Sequence, residues 1–100
     1  MIRSYSLADL EFEWHGDKAE FNEEKHGLGF REGAEVFLDP HRTMVGTRIT
    51  EAGEVRHAVV GSVGQNLVLL VFTMRGHRIR IISVRKAHRN ERKKYRGLQA

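Results

Sequence analysis

The sequence predicts a single α+β domain, in which an antiparallel meander of four to five strands carries two helices from the first half of the chain and a short basic helix at its end. Helix-type patterns with glycine stops occupy residues 18–38, whereas short β-branched runs separated by turn residues follow from residue 43. With 100 residues, 40% hydrophobic and 30% charged, the chain suits one domain with one modest core. We expect residues 10–97 to form this domain, within a single unit of 1–100, and residues 1–9 to be a loose lead-in.

The first elements of the predicted order β-α-α-β-β-β-β-α lie before residue 40. Residues 10–14 alternate three apolar side chains with two glutamates, which is typical of a half-buried strand. A helix should follow over residues 18–26, and Gly27 supplies the left-handed residue that ends it. Gly29 can serve as the N-cap of a second helix over residues 30–38, whose apolar stripe should face the sheet.

The remaining elements are short strands and a basic helix. The third of the four strands is apolar on both faces, which is typical of the centre of a sheet. We place the strands at residues 43–49, 55–63, 67–74 and 78–84, and the helix at 87–96.

The charge is distributed unevenly along the chain. Residues 1–40 carry ten acids and four bases, a formal charge of −6, whereas residues 85–96 carry seven bases and one acid, a formal charge of +6. The whole chain is at +4. This asymmetry indicates an anionic partner at the C-terminal end, unless an acidic helix lies beside the basic one and neutralises it.

Composition excludes several classes of function. The chain has no cysteine, so disulfides, thiol nucleophiles and thiolate metal sites are impossible. Its six histidines lack the spacing of a zinc-binding helix, and we expect neither a metal nor another cofactor. The longest apolar run is too short for a membrane span, and the N-terminus lacks the apolar core of a signal peptide. We therefore expect a cytoplasmic protein without a membrane partner.

The last predicted strand points arginines away from the core. Ile79 and Ile81 share one face, so Arg78 and Arg80 share the other, where their guanidinium groups suit phosphate binding. Arg85 falls on the opposite face from Arg80 in a regular strand. The two converge only if the chain bends near residue 83.

Several segments resemble the BrnT family, the toxin half of a bacterial type II toxin–antitoxin system. The similarity spans about residues 10–97, and its most specific run is Arg80–Ala87. The other segments are Phe12-Glu13-Trp14, Lys18, Asn22, Lys25-His26-Gly27, Phe30, Glu32, Ala34, Val36-Phe37, Arg56–Gly61, Asn90-Glu91-Arg92 and Tyr95. The sequence departs from the family pattern at His15-Gly16, Gly29, His57 and Val84.

The resemblance implies a small ribonuclease with a RelE-like fold, RNA as its substrate and no cofactor. It also implies a complex with a BrnA-type antitoxin, a ribbon-helix-helix protein that neutralises the toxin and binds operator DNA. The alternative is a non-catalytic module that binds nucleic acid or a protein through the same basic end.

Metal-independent RNA cleavage uses the 2′-hydroxyl as nucleophile, so the protein must move protons and stabilise charge on the phosphate. Arg80 and Arg85 are candidates for the phosphate, with two solvated arginines as the alternative. Arg56 is either an arginine that keeps a strand edge soluble or, as the resemblance implies, a substrate clamp. Glu54 beside it is expected to be its ion-pair partner rather than a proton acceptor. Lys18 is a further catalytic candidate or an exposed helix lysine.

The RNA-binding candidates extend over both ends of the chain. Trp14 either stacks on a base or closes the core. Arg78, Lys86, Arg89 and Arg92 are expected to track the RNA backbone or an acidic antitoxin segment, unless they form a solvated basic face.

Overall fold

The computed structural model describes residues 1–97. Over these residues, six strands form one mixed sheet in the order β1-β2-β6-β5-β4-β3. The α+β class is confirmed, but the sheet is larger than predicted. The strands are β1 (Ile2–Leu7), β2 (Leu10–His15), β3 (Thr43–Ile49), β4 (Val55–Val63), β5 (Asn66–Arg75) and β6 (Arg78–Lys86); the helices are α1 (Gly16–His26), α2 (Phe30–Ala34), a 3₁₀ helix (Glu35–Leu38) and α3 (Arg89–Gly97).

The expected loose lead-in was wrong, because residues 2–7 form β1. This strand pairs antiparallel with β2 from Ile2 opposite His15 to Leu7 opposite Leu10. The two turn residues, Ala8 and Asp9, both have positive φ, at 46° and 63°. Two positive φ values fit the tight hairpin turn that matches the twist of a sheet.

The expectation of a purely antiparallel sheet was also wrong. β3 to β6 form the predicted meander, but β2 lies parallel to β6, with Phe12 opposite Ile79 and Glu13 opposite Arg80. Parallel neighbours need a crossover connection, and here the intervening helices and the whole meander provide it. The first and last quarters of the chain therefore meet in the middle of the sheet.

The helices follow the predicted stops with shifted bounds. Gly27, with φ 70°, ends α1, and Gly29 caps α2 while its amide donates to Glu32 Oε1 at 3.1 Å. The second predicted helix is α-helical only to residue 34 and continues as the 3₁₀ helix. A Cβ on Gly33 would lie 2.5 Å from Val84 Cγ2, so this glycine lets α2 lie directly against β6. The last helix begins at Arg89 rather than at residue 87.

The two faces of the sheet differ in their cover. On the face that we call the helical face, α1, α2 and the 3₁₀ helix enclose the main core, which contains Phe12, Phe30, Leu70 and Ile81. On the other, which we call the open face, a smaller buried cluster of Val60, Leu69 and Ala87 lies with Tyr95 of α3. The helices thus cover one face broadly, and α3 covers part of the other.

A β-bulge in β6 changes which side chains reach the open face. Opposite β5, Phe72 pairs with Ile81 but Val71 pairs with Ser83, so Ile82 is an extra residue. The bulge shifts the alternation by one residue. Ile81 and Val84 therefore both enter the main core, and Arg80 and Arg85 both emerge on the open face.

Candidate functional site

The open face carries a cavity of about 340 Å³ that we call the arginine pocket. Arg48 and Arg56 lie directly opposite each other on β3 and β4, and both line this cavity together with Arg85 of β6 and Glu91 of α3. Its floor includes Ala58, Leu69 and Val71. Three guanidinium groups from three strands therefore surround one opening, a suitable arrangement for a phosphate group.

Two of these arginines are held by carboxylates. Arg56 Nε donates to Glu54 Oε1 at 2.9 Å, and Arg75 Nη2 donates to Glu54 Oε2 at 3.0 Å. This confirms Glu54 as the ion-pair partner of Arg56. Arg85 binds Glu91 in a two-pronged pair, with both N···O distances at 2.9 Å. The pairs fix the direction of the guanidinium groups before any substrate arrives.

The carboxylates in these pairs are more acidic than free ones. The hydrogen bond from Arg56 lowers the pKa of Glu54 below 4.5 and outweighs desolvation. The hydrogen bond from Arg85 lowers the pKa of Glu91 likewise, with further help from the amide of His88 at 2.7 Å. Both groups are therefore ionised at neutral pH.

Arg48 differs from the other two arginines. Among residues 1–97, the structure shows no carboxylate partner for its guanidinium group, which is exposed. Its five N–H donors remain available to a ligand. The sequence analysis did not identify Arg48 as a site residue. The available signal was its position on the strand that precedes Arg56, with one turn between the two strands. Glu91 was missed as a pocket residue because that role depends on how α3 docks.

Arg80 lies on the open face but outside the lining of the arginine pocket. It donates through Nε to Glu13 Oε2 at 2.7 Å and makes a second, shorter contact through Nη2. Arg78 Nη1 lies 3.7 Å from the same carboxylate. Glu13 is buried, so this cluster orients Arg80 and Arg78 beside the pocket rather than within it.

Lys18 and Trp14 lie outside the lining of the arginine pocket. Trp14 is buried, with its ring against Phe30 and Tyr5 at 5.9 Å between centroids. Its ring has no open face for a base, so the core alternative is the one observed. Lys18 lies exposed on α1 and lines a separate groove with residues of β6. The structure does not bring either residue to the arginine pocket.

The C-terminal basic residues do not line the pocket, and Lys86 pairs with Val68 of the main core, so its side chain belongs to the helical face. Lys86 and Arg89 are exposed at the end of β6 and the start of α3. Arg92 Nη1 donates to the carbonyl of Ala87 at 2.7 Å, which ties its charge to the start of its own helix. These side chains add positive potential near the site.

α3 is fixed on the open face by polar contacts. Tyr95 Oη donates to Asp39 Oδ2 at 2.7 Å, and Asp39 also accepts from the amides of Ser62 and His41 at 2.8 Å. Burial raises the pKa of Asp39, but these hydrogen bonds outweigh it and hold the pKa below 3.8. Together with the Arg85–Glu91 pair, they place Glu91 at the rim of the pocket.

His57 also lines the pocket, although its ring belongs partly to the core. The ring lies 5.3 Å from that of Phe72, and Nδ1 is 3.3 Å from Thr47 Oγ1. His57 is therefore packed against a core residue while it borders the pocket.

The fold and the site define a class: a small mixed α+β domain whose open sheet face presents a preformed cluster of guanidinium groups to an anionic ligand. The family model of the ribonuclease toxin BrnT, of the type II toxin–antitoxin systems, matches residues 14–91. The chain belongs to this family of ribonuclease toxins. A search of curated proteins finds no significant match to the chain.

Residues 1–97 contain neither a membrane-spanning helix nor a cluster of metal-binding side chains. No helix there is long and apolar enough to cross a membrane. In the same residues, no group of three or more His, Asp or Glu side chains is arranged to hold a metal ion.

Proposed function

We propose that the arginine pocket is the site where this toxin cleaves RNA, by a reaction that needs no metal ion. The observation that supports the proposal is the convergence of Arg48, Arg56 and Arg85 around one cavity. In this mechanism Arg56 and Arg85 bind the non-bridging oxygens of the scissile phosphate, whose negative charge increases in the transition state. Arg48 adds the third guanidinium group.

The bond changes are those of internal transesterification. The 2′-oxygen loses its proton to a base and bonds to phosphorus, while the bond from phosphorus to the 5′-oxygen breaks and that oxygen gains a proton. The products are a 2′,3′-cyclic phosphate and a 5′-hydroxyl. Glu91 is our candidate for the base, since its carboxylate lies in the pocket beside Arg85. A phosphate that binds Arg85 would release this carboxylate from its ion pair.

The other predicted site residues take supporting roles in this proposal. Arg80 and Arg78 hold the RNA backbone beside the pocket, on the same open face. Arg89 and Arg92 add positive charge on α3, and Lys86 adds it on the helical face at the end of β6. Lys18 is on the other side of β6 and binds substrate away from the reacting atoms.

The family implies an antitoxin partner, and we propose a BrnA-type protein. A partner whose acidic segment covers the arginine pocket would neutralise the toxin by occupying its guanidinium groups. Its ribbon-helix-helix part would bind operator DNA. The net charge of +4 favours such a partner.

The decisive experiment measures RNA cleavage in EDTA with identification of the product ends. We expect cyclic phosphate ends, and we expect Arg56→Ala and Arg85→Ala each to lower kcat by roughly 100-fold or more. Arg75→Ala is the matched control, since Arg75 shares Glu54 with Arg56 but does not line the pocket. Binding without cleavage would support the non-catalytic alternative, and full activity of both pocket variants would remove the pocket from the mechanism.

A further inference from the structure

A second cavity, of about 490 Å³, lies between α1 and β6, and we call it the α1–β6 groove. Lys18, Phe21, Lys25 and His26 line it from the helix, and Ser83 lines it from the strand. Asp17 is the one carboxylate in its lining among the described residues. With one aspartate, two lysines and a neutral histidine, the lining has a formal charge of +1, and the groove is separate from the arginine pocket.

The groove exists because α1 replaces a strand beside the second half of β6. β2 pairs with β6 only near Ile79 and Arg80, and beyond that point Asn22 of α1 binds the carbonyl of Val84 at 2.8 Å and its amide at 3.1 Å. Adjacent strands lie about 4.8 Å apart, whereas a helix with its side chains is about 10 Å wide. The wider spacing leaves room along the strand edge.

Phe21 is the unusual residue in this groove. Its side chain is 66% exposed, although a phenylalanine is normally buried. Lys18 and Lys25 stand three residues before it and four residues after it, which places all three on one side of the helix. An exposed aromatic ring between two ammonium groups matches single-stranded RNA, whose bases stack on aromatic rings and whose phosphates attract cations.

The groove is adjacent to the arginine pocket. Ser83 lines the groove, Val71 lines the pocket, and the two residues are register partners on neighbouring strands. Only one strand spacing of about 4.8 Å separates their backbones. An RNA strand bound in the pocket can therefore continue over the edge of β6 into the groove.

We propose that the α1–β6 groove is a second RNA subsite that holds a nucleotide flanking the scissile phosphate. Phe21 stacks on the base, and Lys18 and Lys25 bind the adjoining phosphates. This inference rests on the proposed function insofar as RNA is the substrate, but it makes a separate claim about where the RNA runs.

The test measures binding of a fluorescein-labelled 2′-O-methyl RNA oligonucleotide by fluorescence anisotropy. This probe lacks the nucleophile, so binding is measured whether or not the protein cleaves RNA. We expect Phe21→Ala to weaken binding roughly tenfold, because a base stacked on an aromatic ring contributes about that much. Phe21→Tyr should retain affinity, and Lys18→Ala and Lys25→Ala should each weaken binding and its salt dependence.

Ile49→Ala is the matched control, since Ile49 is 68% exposed and lies on β3 at the far edge of the sheet. In cleavage assays, Phe21→Ala should raise KM at unchanged kcat, whereas Arg85→Ala should lower kcat. Unchanged RNA affinity in Phe21→Ala, with the fold intact by circular dichroism, would overturn the proposal. Unchanged RNA affinity together with loss of the antitoxin complex would assign the groove to a protein partner instead.

Discussion

Asn22 shows how one side chain substitutes for a strand. Its amide nitrogen donates to the carbonyls of Val84 and Leu28, and its oxygen accepts from the amide of Val84. These contacts satisfy backbone groups of β6 that β2 does not reach, in a place where Asn22 is itself buried. The position of α1 beside the strand, and hence the shape of the groove, depends on them.

Asn22→Ala should lower the free energy of unfolding by about 2–4 kcal/mol, because it leaves buried backbone groups of Val84 and Leu28 without partners. Urea denaturation followed by circular dichroism measures the change. Asn66→Ala removes an exposed asparagine and should change stability by less than about 0.5 kcal/mol. Equal losses in the two variants would contradict the role of Asn22.

At the level of elements, α3 depends on its polar contacts for docking. None of the described residues of α3 is buried, so the helix gains little from apolar contact. The Tyr95–Asp39 hydrogen bond and the Arg85–Glu91 ion pair hold it. The hydrogen bond to Asp39, with burial in support, raises the pKa of Tyr95 above 10.0.

The docking of α3 should therefore weaken in base. Because the folded-state pKa of Tyr95 is raised, the hydrogen bond contributes fully below pH 10 and is lost as the pH rises through the folded pKa. We expect Tyr95→Phe to cost about 1 kcal/mol at neutral pH, and this difference from the natural protein should shrink above pH 10. Urea unfolding at both pH values measures it, and a difference that is constant with pH would contradict the assignment.

Local sequence signals, such as glycines at helix ends, predicted some elements correctly. Other elements have no such signal. Gly27 and the Gly29–Glu32 cap gave correct helix ends because such signals are local. β1 escaped prediction because its turn, Ala8-Asp9, lacks the Asn-Gly or Asp-Gly pattern that normally identifies a two-residue hairpin. An alanine with φ 46° is strained, and the pairing of the strands on either side compensates for it.

From the sequence, only those features of the candidate site that depend on β6 alone were predictable. The bulge at Ile82 places Arg80 and Arg85 on the same face, as the expected bend near residue 83 required, but only Arg85 lines the pocket. The partners of these arginines, Glu13 and Glu91, come from distant elements, and a one-dimensional pattern contains no information on which carboxylate reaches which arginine. The parallel pairing of β2 with β6 was unpredictable for the same reason.

At the scale of the whole molecule, electrostatics should dominate RNA affinity. Residues 85–96 alone carry a formal charge of +6, and release of counterions makes the binding of single strands fall with salt, with a slope of about −0.7 per neutralised phosphate. A basic residue contributes to RNA affinity only if its side chain lies where RNA binds. Arg48 faces the pocket, whereas Arg31 lies over the ring of Tyr5 at 5.2 Å.

Arg48→Ala should therefore reduce the steepness of log K against log salt by about 0.7, measured by anisotropy with the 2′-O-methyl probe over a salt series. Arg31→Ala removes the same charge elsewhere and should leave the slope unchanged. Equal changes in both variants would mean that net charge, rather than the pocket, controls binding.

The parallel contact between β2 and β6 bears on how the toxin is made. During translation, β1 and β2 are synthesised early, but β2 cannot pair with β6 until β6 has been synthesised as well. The three arginines and the glutamate of the pocket come from residues 48 to 91, so a nascent or prematurely terminated polypeptide cannot assemble them. Under the proposed function, RNA cleavage therefore requires that residue 91 has left the ribosome and that α3 has packed against the sheet.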